Sequence, residues 1–304
     1  MGGFIRLGLT LAGCCNAVLG REARRHKDDL AMNANVTHHA AGDGRCRSKA
    51  LRLAAALAGL LAASGGALAQ DATGKSFVET FDKLSGSRWF VSDGWDNGKH
   101  QNCTWSKEQV KVADGNLVLS FDKKPLKNRD YSCGEVQTKE RFGYGTYEAR
   151  MKTGTGSGLN AAFFTYIGPV HKKPHDEIDF EVLTKDPSKV QVNAYVGGKS
   201  NDEKLVDVPG GADKGFNDYA FVWEKERLRW YVNGQLVHEV TEPSQLPSNP
   251  QKIFFSLWGT GTLSEWMGRF TEPTEAVTMA VDRVAYTALG EPCQFERSVA
   301  CTLK

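Results

Sequence analysis

Short runs in which apolar and polar residues alternate, separated by tight-turn signals, recur along this chain from about Phe77 to Tyr286. They read NLVLSF, YGTYEARM, LNAAFFTYI, EIDFEVL, KVQVNAYV, YAFVWE, LRWYV, QLVHEV, KIFFSLW and MAVDRVAY, with Asp114-Gly115, Gly197-Gly198, Pro209-Gly210-Gly211 and Asn233-Gly234 between them. A period of two puts side chains on alternate faces of a strand, and Asn-Gly between two such runs closes a hairpin because both residues tolerate positive φ. No long stretch carries the 3.6-residue period of an amphipathic helix. Ten or more short strands joined by tight turns can bury their apolar faces only against one another. The chain is therefore restricted to an all-β antiparallel sandwich.

A length of 304 residues would permit two domains, but one sandwich can run to about 200–250 residues, and the front of the chain reads as a leader. Arg45, Arg47, Lys49 and Arg52 precede the apolar run LAAALAGLLAASGGALA, which ends in Ala67-Leu68-Ala69. This is the pattern of a secretory signal cleaved after Ala69, leaving Gln70 as the first mature residue. The run is too short and too rich in Ala and Gly for a membrane span, which takes about 20 strongly apolar residues. Some fifty residues stand in front of it, more than a signal requires, so the true start of translation is expected later, at Met32 or at a non-Met start. A rival address lies at the very beginning, where LTLAGC resembles a bacterial lipoprotein box that would acylate Cys14; Arg6 breaks its apolar stretch and REARRHKDD follows at once. The expected division is a leader over residues 1–69 and one domain over 70–304, with no internal linker, low-complexity tract or repeat.

Cysteine usage agrees with export. Cys14, Cys15 and Cys46 fall in the leader, and the remaining Cys103, Cys133, Cys293 and Cys301 form an even set without a CxxC pair. Such a set suits disulfides in an extracellular or periplasmic compartment and gives no support to zinc or thioredoxin chemistry. The net charge of +2 is small once the basic leader is set aside, and nothing in its pattern points to nucleic acid.

The segment PHDEIDFEVL, residues 174–183, carries acids on every second position. On a strand Ile178, Phe180 and Val182 share one face and Glu177, Asp179 and Glu181 the other. The face of acids would meet either solvent on a convex surface or a ligand in a concave groove. Same-face neighbours on a strand are only about 6.6–6.8 Å apart, so three ionised carboxylates in a row repel, and one or more must be protonated or paired. That arrangement costs stability unless it is used. Rings of Trp95, Trp105, Phe164, Tyr166, Tyr195, Trp258 and Trp266 lie in or beside the strands, where aromatics ordinarily build core. Trp95 in SDGWDNG and Trp266 in LSEWMG stand instead in loops, and flat rings beside carboxylates suit a sugar-binding cleft.

With those residues in view, the chain resembles glycoside hydrolase family 16, the licheninase and laminarinase group, whose active-site strand reads ExDxE. The likeness extends through NGKHQNCTW, FGYGTYEARMK, FFTYIGP, DEIDFE, KVQVN, KGFNDYAFVWE, WYVNGQLVH and SLWGTGT in that family's order. Through HQNCTWSKEQVK, KKPHDEIDFEVL and the terminal CQFERSVAC it is similar to the rhizobial secreted endo-β-glycanases that cut succinoglycan-type exopolysaccharide.

The resemblance implies a β-jelly roll of two curved antiparallel sheets, a polysaccharide partner in the concave face and a monomeric, secreted enzyme without stable membrane association. It implies Glu177 as nucleophile, Glu181 as general acid/base and Asp179 as support of the nucleophile, the trio that a retaining glycosidase needs. Clustered negative charge would keep Glu181 protonated until it is used. By the same resemblance Asn97, Glu135, Tyr166, Asn193, Tyr195, Trp258 and Trp266 bind sugar units. Cys103 pairs with Cys133 and Cys293 with Cys301, and Asp282 with backbone oxygens holds a structural Ca2+, although one Asp is a thin ligand set for that ion. The chemistry itself requires no cofactor. Three positions depart from licheninases: Gln137 replaces an Arg, His175 a Trp and Ser256 an Asn. These fit a substrate decorated differently near the cut, and His175 receives no role. A mixed-linkage β-1,3-1,4-glucan licheninase is the alternative. A non-catalytic sugar-binding jelly roll would lack one of the two glutamates, and a metal-dependent hydrolase built on His175 would need more ligands than one histidine beside three strand-spaced acids.

Overall fold

The computed structural model describes residues 73–200 and 203–303, so the leader, with Cys14, Ala69 and Gln70, lies outside the described residues. The alternating runs form the strands expected of them. One sheet runs in the order Trp89–Val91, Tyr131–Thr138, Lys252–Gly259, Leu159–Ile167, Asp176–Leu183, Lys189–Val196 and Lys204–Asp207. The other runs Val110–Ala113, Asn116–Asp122, Val277–Ala288, Gly145–Thr153, Asn217–Trp223, Leu228–Val232 and Gln235–Val240. Both are antiparallel and curl into the jelly roll. Among the described residues no helix is long and apolar enough to cross a membrane.

Turn chemistry sets the register. Asn233 and Gly234 adopt φ of 49° and 77° between the paired Val232 and Gln235, the geometry that a two-residue hairpin demands. Asp114-Gly115 and Gly197-Gly198 repeat it, with positive φ at both positions.

Facing sheets meet through a stack of rings. Phe163 lies 5.2 Å from Phe255, 5.7 Å from Phe221 and 6.2 Å from Phe180, all nearly parallel and fully buried. Each buried phenyl of this kind contributes about 1.5–3 kcal/mol. Phe180 belongs to the acidic strand, so its packing, with that of Ile178 and Val182, holds the backbone from which Glu177, Asp179 and Glu181 project the other way. Trp230 of the second sheet adds a hydrogen bond from Nε1 to the Asp179 carbonyl at 3.2 Å.

The strand Tyr131–Thr138 joins the two sheets. Its first half pairs with Cys103–Trp105 and Asn116–Asp122, its second with Lys252–Gly259. At that crossing lies the Cys103–Cys133 disulfide, buried, and Cys293–Cys301 closes the C-terminal segment as expected. That segment rests on the second sheet: Val299 packs with Ala220, Val222 and Tyr231, while Ser298 Oγ and the Val299 amide donate to the buried Glu148 carboxylate at 2.5 and 2.8 Å.

Candidate active site

Strand register places the acids in successive rows across the first sheet. Glu181 lies beside Ala162, Ser256 and Glu135 on one side and Gln191 on the other. Asp179 lies between Phe164 and Asn193, with Phe254, Gln137 and Phe90 further along. Glu177 lies between Tyr166 and Tyr195, with Lys252 beyond Tyr166. The open alternative, a solvated convex face, is excluded by burial: Asp179 is 2% exposed and Glu181 9%. The acids thus lie on the side of the strand shielded from solvent, among the side chains of the neighbouring rows.

Glu181 is held by two amides, Asn160 Nδ2 donating to Oε1 at 2.9 Å and Gln191 Nε2 to Oε2 at 3.1 Å. Gln191 cannot turn freely, because its Oε1 accepts the indole N–H of Trp266 at 2.9 Å. A chain of donors therefore runs from the short helix Ser264–Met267 to the acid. The sequence pattern does not by itself single out Asn160 or Gln191. Gln191 shares strand parity with Asn193 and Tyr195, and that parity was the available signal.

Expected ligand-binding residues divide into three groups. Trp258 and Trp266, with centroids 6.1 Å apart, form a half-buried wall, and Tyr166 stands half-buried beside Glu177. Tyr166 has room because Gly168 is a glycine; a Cβ there would collide with the phenol oxygen. Burial first, and then the neighbouring Glu177, push the Tyr166 hydroxyl up to about 12, so it stays protonated and available as a donor. Asn97 lies exposed in the 92–102 loop, its backbone N–H donating to Gln101 Oε1 at 3.2 Å. Gln101 Nε2 in turn contacts both sulfurs of the Cys103–Cys133 bridge, which ties that loop to the sheet. Asn193 is buried against Ser200, and Tyr195 is buried with its face covered by the His175 imidazole. Trp95 remains exposed at the loop, edge-on to Trp105.

Glu135 is the most perturbed acid with a resolved value. Complete burial pushes its carboxyl up to about 7, only partly opposed by a 2.6 Å hydrogen bond from Ser92 Oγ. Its folded value exceeds the ordinary 4.5, so the stability linked to its protonated form is whole below about pH 4.5 and is lost as pH rises through about 7. Glu135→Gln keeps an acceptor for Ser92 and removes the charge. Denaturant unfolding at acid and alkaline pH is expected to show the variant gaining on wild type across that window by on the order of 3 kcal/mol. Parallel curves for the two proteins would contradict this.

The calcium expectation at Asp282 meets a different environment. A register shift between Val281 and Arg283 sets Asp282 on the second sheet, where its carboxylate lies 3.5 Å from Arg150 Nε and 3.9 Å from Arg283 Nη1. Both guanidiniums are shared with Asp218. Asp282 therefore faces guanidiniums, and a divalent ion there would have to displace them and draw its remaining oxygens from the backbone. Among the described residues no group of three or more His, Cys, Asp or Glu is placed to hold a metal.

A curled antiparallel sheet with three acids on one strand face, and indole and phenol rings on neighbouring strands, is an arrangement suited to binding and cleaving a polysaccharide. The chain belongs to family 16 of the glycosyl hydrolases: the profile described as Glycosyl hydrolases family 16 matches residues 97–276. It is 66% identical over 232 residues to Endo-1,3-1,4-beta-glycanase ExoK of Rhizobium meliloti (strain 1021), covering 76% of this chain and 85% of that one. It is 40% identical over 205 residues to Beta-glucanase of Bacillus subtilis (strain 168), covering 67% and 83%. Among solved structures, Bacillus licheniformis beta-glucanase superposes with a TM-score of 0.67 at 39% identity, over 71% of this chain and 99% of that one. The chain is thus a glycosidase of the endo-β-glycanase type.

Proposed function

We propose that this chain is a secreted retaining endo-β-glycanase that hydrolyses β-glucosidic bonds of a succinoglycan-like exopolysaccharide by double displacement. The observation that carries the mechanism is the strand face on which Glu177, Asp179 and Glu181 stand in consecutive rows of one groove. Glu177 attacks the anomeric carbon while Glu181 gives its proton to the leaving oxygen, so the C–O bond breaks without expelling an alkoxide. The result is a glycosyl ester on Glu177. Glu181, now a carboxylate, takes a proton from water; the water oxygen bonds to the anomeric carbon, and the ester electron pair returns to Glu177. Asp179, buried in the row between them, supports the nucleophile. The reaction needs no cofactor.

Support for an acidic glycan comes from the Lys252 end of the Glu177 row. Lys252 and Arg141 lie close enough to act on one another and on His171, whose ring stands 6.2 Å from Tyr166. Lys252 Nζ donates to Gln137 Oε1 at 3.1 Å, at the position that licheninases fill with Arg. Cations gathered there suit a sugar carrying acid substituents. The test is incubation of the mature chain with succinoglycan, lichenan, laminarin and carboxymethylcellulose, with identification of the reducing ends and their first-formed anomer by proton NMR. Release of oligosaccharides from succinoglycan with the β-anomer first is expected. Faster turnover of lichenan would favour the licheninase reading, and first-formed α-anomer would overturn double displacement.

A further inference from the structure

We propose that His175 is a positioning residue for Glu177, holding one carboxylate oxygen by hydrogen bond so that the other faces the anomeric carbon. The role rests on the reading of Glu177 as nucleophile. His175 Nε2 lies 2.6 Å from Glu177 Oε2. An ionised carboxylate can only accept, so Nε2 carries the proton and donates it. With side chains 12% and 21% exposed, the pair is shielded from competing water.

The imidazole is held between two rings. Its face lies on the Tyr195 ring, 5.1 Å between centroids and 10° from parallel, and the Tyr166 ring meets it at 5.1 Å and 63°. The His175 carbonyl accepts the Gly198 amide at 2.8 Å. The neighbouring Asp176 carboxylate accepts the amides of Gly197, Ser248 and Asn249 at 3.2, 3.0 and 3.1 Å, which pins the start of the strand. A ring so clamped can select one rotamer of Glu177 instead of following it. Other titratable or charged groups on the same face are Tyr166, Tyr195 and Asp179, with His171 and Lys252 beyond Tyr166, while Asp176 is adjacent in sequence and points to the other face.

The bond acts differently in the two steps. In the first, it keeps the free oxygen of Glu177 aimed at the anomeric carbon. In the glycosyl ester, Oε2 is the carbonyl oxygen and still accepts from Nε2. As the ester C–O bond breaks, the electron pair returns to the carboxylate and the charge-assisted hydrogen bond strengthens, which favours the second transition state over the ester. His175 keeps its proton throughout.

The experiment is kcat and KM on an activated aryl β-oligoglucoside from about pH 4 to 9 for His175→Phe and His175→Gln, with melting curves as a folding check and Glu177→Ala plus azide as a reference. His175→Phe is expected to lower kcat about ten- to a hundredfold with KM little changed. The acid limb of kcat/KM should move to higher pH, because a donor favouring the charged carboxylate is gone. His175→Gln, whose amide N–H can replace Nε2, should recover most of kcat and return the limb. Wild-type kcat and limb in His175→Phe, or equal losses in both variants with no limb movement, would overturn the positioning role alone, provided azide rescues Glu177→Ala. Full activity of Glu177→Ala would overturn the reading of Glu177 as nucleophile and this role with it.

Discussion

Glu177→Ala is expected to lose polysaccharide hydrolysis by about four orders of magnitude or more, because no group remains on the α face of the sugar to attack the anomeric carbon. The cavity left by the carboxylate admits azide. With an activated β-glycoside, Glu181 is still present and the azide enters from the vacated side. One displacement then replaces two, and the product is the α-glycosyl azide. Proton NMR of that product is the decisive measurement, since rate loss alone would also follow from a folding defect. A β-azide would assign Glu177 to the leaving-group side and exchange the roles of the two glutamates.

The spacing of the acidic strand was legible because it is local: a period of two decides which residues share a face, whatever else the chain does. Its apolar side, Ile178, Phe180 and Val182, entered the core as the alternation required. The hairpin at Asn233-Gly234 was legible for the same reason, its φ angles being a property of two adjacent residues. Strands of three or four residues such as Trp89–Val91 and Val110–Ala113 were not, since so few residues define no period and their pairing partners decide them.

Contacts between distant segments were legible only in part. His175 has no role in the sequence until register brings Tyr195 opposite Glu177 and stacks the imidazole on a ring twenty residues away. The Trp266 to Gln191 hydrogen bond spans 75 residues and depends on where a four-residue helix docks. At Asp282 the sequence offers one acid, but the register shift at Val281 and Arg283 determines which cations it meets. Pattern alone says which face a residue takes; it does not say what stands across from it.

Glu181→Ala should separate the two chemical steps that Glu177→Ala abolishes together. On polysaccharide, whose leaving alcohol needs a proton, a loss of about 10²–10⁴-fold is expected, the usual contribution of a positioned general acid. On an aryl glycoside with a good leaving group the first step needs no proton, so the glycosyl ester on Glu177 should accumulate and KM should fall with kcat. The basic limb of the pH profile should disappear, because the group whose proton the first step spends is absent. Asn160 and Gln191 then have no carboxylate to grip, and their amides line the cavity on the β face. Azide entering there attacks the α-linked ester from the β side and gives the β-glycosyl azide, with retention, at a rate that rises with azide concentration. An α-azide from this variant, or undiminished hydrolysis of polysaccharide, would remove Glu181 from the acid/base role and leave the two amides holding a carboxylate with no part in the reaction.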